Sequence, residues 1–194
     1  MILKIISIER INQHKDNKKA LKRYDNQFVN ITLIKEHTFM IEKSTVSYDD
    51  QNIFMKIIRK EANACRVYED DLLLAIMDIM PQNPGHVLVI PKDRIKDIFE
   101  VPLEVLSQMI LAVKKIAIAC KNALQADGIQ ILQFNGHAAG QTIPHLHFHV
   151  IPCKNGDDTL NTSIHVAQKT ETFQNLEISA KKIRKELQNA IKTE

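Results

Sequence analysis

In "GQTIPHLHFHVIP", Gly140 to Pro152, apolar Leu146, Phe148 and Val150 alternate with His145, His147 and His149. Side chains two apart on a strand share a face, so this predicts a half-buried strand, apolar on one side and lined by three imidazoles on the other. Pro144 and Pro152 punctuate it. Upstream, Ile53, Phe54, Ile57 and Ile58 have the spacing of a short amphipathic helix. "CRVYEDD" and "LLLAIMDI" read as two strands joined by an acidic turn at Glu69 to Asp71, and "PQNPG" as a turn feeding the strand "HVLVIPK". Pro102 opens a long helix whose apolar positions Leu106, Met109, Ile110, Val113, Ile116, Ala117, Cys120 and Leu124 recur every three or four residues until Asp127-Gly128 ends it. "IQILQF" is a further strand, "NGHAAG" a loop, and "ISAKKIRKELQNAI" a closing amphipathic helix. Strands, then a helix, then strands indicate an α+β domain with an antiparallel sheet covered by the long helix.

The first part of the chain differs. "INQHKDNKKALKRYDNQ" is polar and basic, and "FVNITLIKEHTFMIEK" reads as one or two short strands. Residues 1–48 are set apart as an N-terminal extension of unknown role, and residues 49–194 form the main domain. Met40 offers an alternative start, which would make residues 1–39 a translated upstream extension; a genuine appendage is the other reading.

At 194 residues the chain is long enough for one good core, and its net charge of +3 is too small to argue for nucleic acid or a membrane surface. The three cysteines, Cys65, Cys120 and Cys153, form no CxxC pair and suggest neither a disulfide framework nor a thiolate metal site. "MILKIISIER" lacks the length and cleavage site of an export signal, and no uncharged apolar stretch approaches the ~20 residues of a membrane helix. These features together fit a cytoplasmic protein. No GKS/T or GxGxxG motif is present, which argues against a P-loop or Rossmann enzyme.

Three of the eight histidines therefore stand on one face of one strand. Imidazoles titrate near neutral pH and serve as bases, nucleophiles, metal ligands or phosphate donors. A satisfied structural role and a zinc site, to which alternating histidines on a strand can give two ligands, are the competing readings.

"QTIPHLHFHVIP" resembles the signature of the histidine triad (HIT) superfamily, His-x-His-x-His followed by two apolar residues, and "VYEDDLLLAIMDIMPQNPGHVLVIPK" resembles its upstream block. The resemblance extends from about Asn52 through Pro152. It implies a HIT-like α+β fold, usually a homodimer, that binds a purine nucleotide and cleaves a bond at its α-phosphorus. His147 would attack that phosphorus and form a nucleotidyl-histidine that water hydrolyses; a neutral imidazole with a pKa near ~6.5 is a competent nucleophile. His149 would donate to phosphate oxygens, His145 would orient the cluster, and His86 matches the fourth histidine that bonds to the triad. Asp78 would accept the ribose hydroxyls and Ile79 would pack on the base. Asn135, Gln141 and Thr142 would face the phosphate and leaving group. Structural alternatives stand beside several of these: a turn residue for Gln141 and Thr142, a turn cap for Asp78, a packing role for His86.

Some branches of the superfamily hold a structural zinc on two cysteines and histidines. Here the corresponding places are Asn52, Met55 and Arg94, so the sequence predicts no metal and no other cofactor, with Met55 packing where an ion would sit. The "MDIMPQNPGH" block reads closest to the phosphoramidase-like, nucleotide-binding branch. A dinucleoside polyphosphate hydrolase, a nucleotidyltransferase and a non-catalytic nucleotide-binding protein are the alternatives.

Overall fold

The computed structural model describes residues 18–24, 27–34, 38–43, 48–157 and 169–191. The opening run "MILKIISIER" lies outside the described residues. The chain divides into two compact units, Met1–Ser47 and Tyr48–Glu194.

In the first unit, β1 (Lys18–Tyr24), β2 (Gln27–Ile34) and β3 (Thr38–Lys43) form an antiparallel meander in that order. The stretch "FVNITLIKEHTFMIEK", read as one or two short strands, holds two, β2 and β3. The basic run before them holds a third strand, which pairs with β2 from Lys18 opposite Leu33 to Tyr24 opposite Gln27.

In the second unit, α1 (Ile53–Ile58) precedes β4 (Arg66–Glu69), β5 (Leu73–Met77) and β6 (Val87–Pro91). The acidic turn closes β4 on β5 because the Asp70 carboxylate accepts from the backbone N–H groups of Leu72 and Leu73 at 2.8 and 2.7 Å. Helix α2 (Leu103–Leu124) then crosses the sheet, followed by β7 (Gly128–Leu132), β8 (Phe148–Cys153) and α3 (Phe173–Ile191). The sheet order is β4-β5-β6-β8-β7 with every neighbouring pair antiparallel. The α+β class and the HIT-like arrangement of an antiparallel sheet under a long helix are thus observed.

The central strands β5, β6 and β8 are buried on both faces. Leu73, Ala75 and Met77 on β5, Val87 and Val89 on β6, and Phe148 and Val150 on β8 pack in one core with Met109, Val113, Ile116 and Cys120 of α2 and Leu176, Ala180 and Ile183 of α3. The alternate residues Leu74, Ile76, Leu88 and Ile90 pack on the other side with Phe54 and Ile57 of α1. The half-buried strand expected from the alternation is therefore buried on both sides, because α1 and its flanks cover the histidine face.

Four boundaries and one buried stripe differ from the sequence reading. Pro102 caps α2 rather than joining it, and the helix stops at Leu124, where Gln125 turns left-handed at φ 51° and Gly128 already belongs to β7. Ile110 faces outward at 48% exposure, its place in the core taken by Ala112 and Ala119, so the buried stripe is rotated slightly from the one counted. Strand β8 starts only at Phe148 and runs through Pro152 to Cys153. The Pro144 turn, tightened by the His145 N–H to the Ile143 carbonyl at 2.8 Å, keeps His145 and His147 out of the ladder. At its far end Pro152 pairs with Ile129 without ending the strand.

Candidate active site

Gly85 introduces the first of four clustered histidines. Its φ of +91° lies in the region that glycine tolerates best, and a Cβ there would fall 2.0 Å from the Leu124 side chain. The turn aims His86 into the sheet interior, where it is fully buried. The Gln82 N–H donates to His86 Nδ1 at 3.2 Å, so the neutral ring carries its proton on Nε2, which lies 3.0 Å from His149 Nδ1. His149 then accepts at Nδ1 and bears its own proton on Nε2. One backbone bond and one ring-to-ring bond thereby fix which nitrogen of His149 is a donor.

The other half of the cluster is fixed independently. His147 Nδ1 donates to the His145 carbonyl at 2.7 Å, which leaves the His147 lone pair on Nε2. His145 Nε2 donates to the Pro91 carbonyl at 2.9 Å, while its Nδ1 accepts from the Tyr48 hydroxyl. Burial, and secondarily the neighbouring His147, push the His145 imidazole down to about 4, so this ring is neutral at pH 7. The rings of His147 and His149 meet edge to face at 4.9 Å.

Two aromatic side chains that the sequence reading did not single out frame the pair. Phe54 on α1 lies 5.2 Å from the His147 ring and 5.7 Å from that of His145, and Phe134 lies 5.6 Å from His149. Phe54 had been counted only as part of an amphipathic stripe.

Asp78 joins the cluster from the end of β5. Its Oδ1 accepts from the Met80 N–H at 2.9 Å, and Oδ2 sits 3.5 Å from His86 Nδ1. The turn-cap alternative is thus realised, with the carboxylate standing at the edge of the histidine cluster. Next to it Ile79 is 57% exposed, an uncovered apolar side chain beside a buried carboxylate.

The loop between β7 and β8 is braced by residues expected to face a phosphate. Gln141 is buried, with its Oε1 accepting from the Gly136 N–H and its Nε2 donating to the Lys96 carbonyl, both at 2.7 Å. These bonds commit its amide to loop backbone, the structural alternative for this residue. Asn135 accepts from the Ile98 N–H at 2.8 Å and exchanges bonds with the Gln133 amide at 2.9 and 2.5 Å. Thr142 is exposed on the same loop.

The places compared with a zinc site do not fit one. Asn52 spends its side chain capping α1 at Met55 N and reaching Tyr48 and the Asp49 carbonyl, Met55 is buried, and Arg94 pairs with Asp50 at 2.9 Å. Among the described residues, Asp78, His86 and His149 bring possible ligand atoms within 4.8 Å of one another. The Gln82–His86–His149 chain of hydrogen bonds already engages three of those four ring nitrogens.

A family profile described as HIT domain matches residues 59–156. An uncharacterised HIT-like protein of Saccharolobus solfataricus is 36% identical over 137 residues, covering 71% of this chain and 98% of the relative. An adenylylsulfatase of Arabidopsis thaliana is 41% identical over 117 residues, 60% of this chain and 58% of that protein. Among solved structures, a Hit-like protein from Bartonella henselae superposes with a TM-score of 0.67 at 48% identity, covering 72% of this chain and 98% of that one.

Proposed function

The chain belongs to the HIT domain family, and from its histidine geometry we propose that it is a nucleotide hydrolase acting at the α-phosphorus through a covalent intermediate on His147. The observation that carries this reading is the opposed pair of tautomers: the His147 Nδ1–H is held by the His145 carbonyl at 2.7 Å, while His149 is held as an acceptor at Nδ1. One ring thus presents a lone pair and its neighbour a proton, the two groups that attack on a phosphorus and stabilisation of its oxygens require.

In the first step His147 Nε2 forms a bond to the α-phosphorus as the bond to the leaving group breaks, and the leaving group departs with the electron pair and takes up a proton from solvent. In the second, water attacks the same phosphorus and gives up a proton to solvent, the phosphorus–nitrogen bond breaks with its electron pair returning to His147 Nε2, and a nucleoside monophosphate is released. His149 donates to the non-bridging oxygens in both steps. His86 sets the His149 tautomer, and His145 orients His147 through its carbonyl. Asp78 takes the ribose hydroxyls and the exposed Ile79 side chain covers a purine base. Asn135 and Gln141 act by shaping the loop that brings Thr142 toward the leaving group. No step requires a metal.

A nucleoside phosphoramidate is the preferred substrate class. The adenylylsulfatase relative favours a second reading in which the same phosphorus carries sulfate. We further propose a cytoplasmic homodimer joined through the β7 edge and the outer face of α2. Ile131 on that edge strand and Leu103, Ile110, Leu111 and Ile118 on the helix are exposed, an apolar surface that a second copy would cover.

The test is release of nucleoside monophosphate from adenosine phosphoramidate, adenylyl sulfate and a dinucleoside polyphosphate in parallel. His147→Ala should lower turnover by about three orders of magnitude or more while nucleotide affinity persists. Turnover retained in His147→Ala would refute the covalent route. Nucleotide binding without turnover on any substrate would favour a binding protein.

A further inference from the structure

We infer that Tyr48 is a positioning residue of this site, holding His145 so that its carbonyl fixes the nucleophile. The inference rests on the reading of His147 as the attacking group. Tyr48 lies 97 residues from His145 in sequence, yet its hydroxyl meets His145 Nδ1.

The direction of that bond is set by neighbours. Asn52 Nδ2 donates to the Tyr48 oxygen at 2.9 Å, filling an acceptor position on the phenol and leaving its proton for the histidine. Asn52 is itself immobilised: its Oδ1 accepts from the Met55 N–H at 3.1 Å as the cap of α1, and its Nδ2 also reaches the Asp49 carbonyl at 2.6 Å. On the opposite side of the ring, His145 Nε2 donates to the Pro91 carbonyl at 2.9 Å. Both nitrogens of one fully buried imidazole are therefore held, one by the start of α1 and the other by the end of β6.

The consequence passes along the backbone. The His145 N–H bonds to the Ile143 carbonyl at 2.8 Å, and the His145 carbonyl receives His147 Nδ1–H at 2.7 Å. His145 and His147 precede the ladder of β8, so this stretch is held by two other anchors: the Leu146 N–H, on the same peptide unit as the His145 carbonyl, donates to the Ile95 carbonyl at 2.7 Å, and the ring of His145 is fixed at both nitrogens. Release of the ring removes one of the two, so the carbonyl that orients His147 is less sharply placed. Burial raises the Tyr48 phenol above its ordinary value, which keeps it a donor at neutral pH. The charges facing Tyr48 are Asp49, Asp50 and Arg94, and His147 faces His145.

The experiment combines kinetics with 15N spectra of histidine-labelled full-length protein. Tyr48→Phe should lower kcat about tenfold, the size of one lost hydrogen bond to a buried ring, with KM near that of the wild type. The His145 Nδ1 resonance should move from that of a hydrogen-bond acceptor toward that of a nitrogen without a donor. Asn52→Asp keeps an acceptor for Met55 but offers the phenol a carboxylate, so it should reproduce both effects with Tyr48 in place. Unchanged kcat in Tyr48→Phe, or a His145 resonance that does not move in either variant, would overturn the inference. If the wild-type protein turns over none of the nucleotides, the hydrolase reading fails, while the resonance still decides whether Tyr48 holds the ring.

Discussion

Acid should unfold this protein partly through a single imidazole. His145 is fully buried, and its surroundings depress it from the ordinary 6.5 to about 4, burial being the main cause. Above pH ~6.5 the ring is neutral in the folded and the unfolded chain, and pH has no leverage through it. Between that value and about 4 the unfolded chain binds a proton that the folded chain refuses, so stability falls as pH falls. The gap corresponds to about 3 kcal/mol, a large share of the stability of a typical domain, and the loss levels off below the folded value. Urea unfolding followed by circular dichroism from about pH 7.5 to about pH 4.5 measures the slope. His145→Gln has a side chain that does not titrate, so its stability should be lower at neutral pH but flatter, by about 1.4 kcal/mol per pH unit inside the window. Other titrating groups contribute in both proteins, so the difference isolates His145. Parallel curves would refute the argument that this ring is buried neutral.

Three further outcomes follow from the site. Asp78→Ala should weaken binding of ribonucleotides about tenfold and of 2′-deoxyribonucleotides much less, since a carboxylate bonded to hydroxyls is lost; titration calorimetry showing equal losses would remove the ribose role. Phe54→Ala removes a buried ring from beside both His145 and His147, and should cost about 3–5 kcal/mol in urea unfolding together with a fall in kcat, whereas an unchanged midpoint would contradict its packing role. Removal of residues 1–39 should leave turnover unchanged, and a large loss would show that the extension contributes to the reaction.

The features legible in the sequence were those written in local periodicity. Leu146, Phe148 and Val150 could be placed on the core face because alternate positions share a side, and the meander could be read from its acidic and Pro-Gly turns. His86 and Asp78 were found through motif likeness, since spacing alone does not bring them to the triad. Tyr48 and the Pro91 carbonyl could not be read, because only the closed sheet brings the two ends of the domain to one ring. Gln141 shows what a fixed offset from a histidine leaves out: the spacing does not show that its amide closes the loop on Gly136 and Lys96, which depends on how that loop folds back. β1 was missed because its pairing with β2, rather than a pattern of its own, makes it a strand.

The place of β8 between β6 and β7 also has a kinetic meaning. Strands β4 to β6 are neighbours in sequence and can zip up as a local meander, but Val89 must wait for Phe148 to arrive from beyond the whole of α2. Closing so long a loop is entropically slow, and the pairing that completes the sheet also delivers the imidazoles. A half-folded chain would hold the meander with the turn that bears Asp78 and Ile79 while the histidine strand is still undocked. Under the proposed mechanism turnover therefore requires the finished sheet, and in hydrogen exchange the amides of β8 should open only with the global unfolding of the domain.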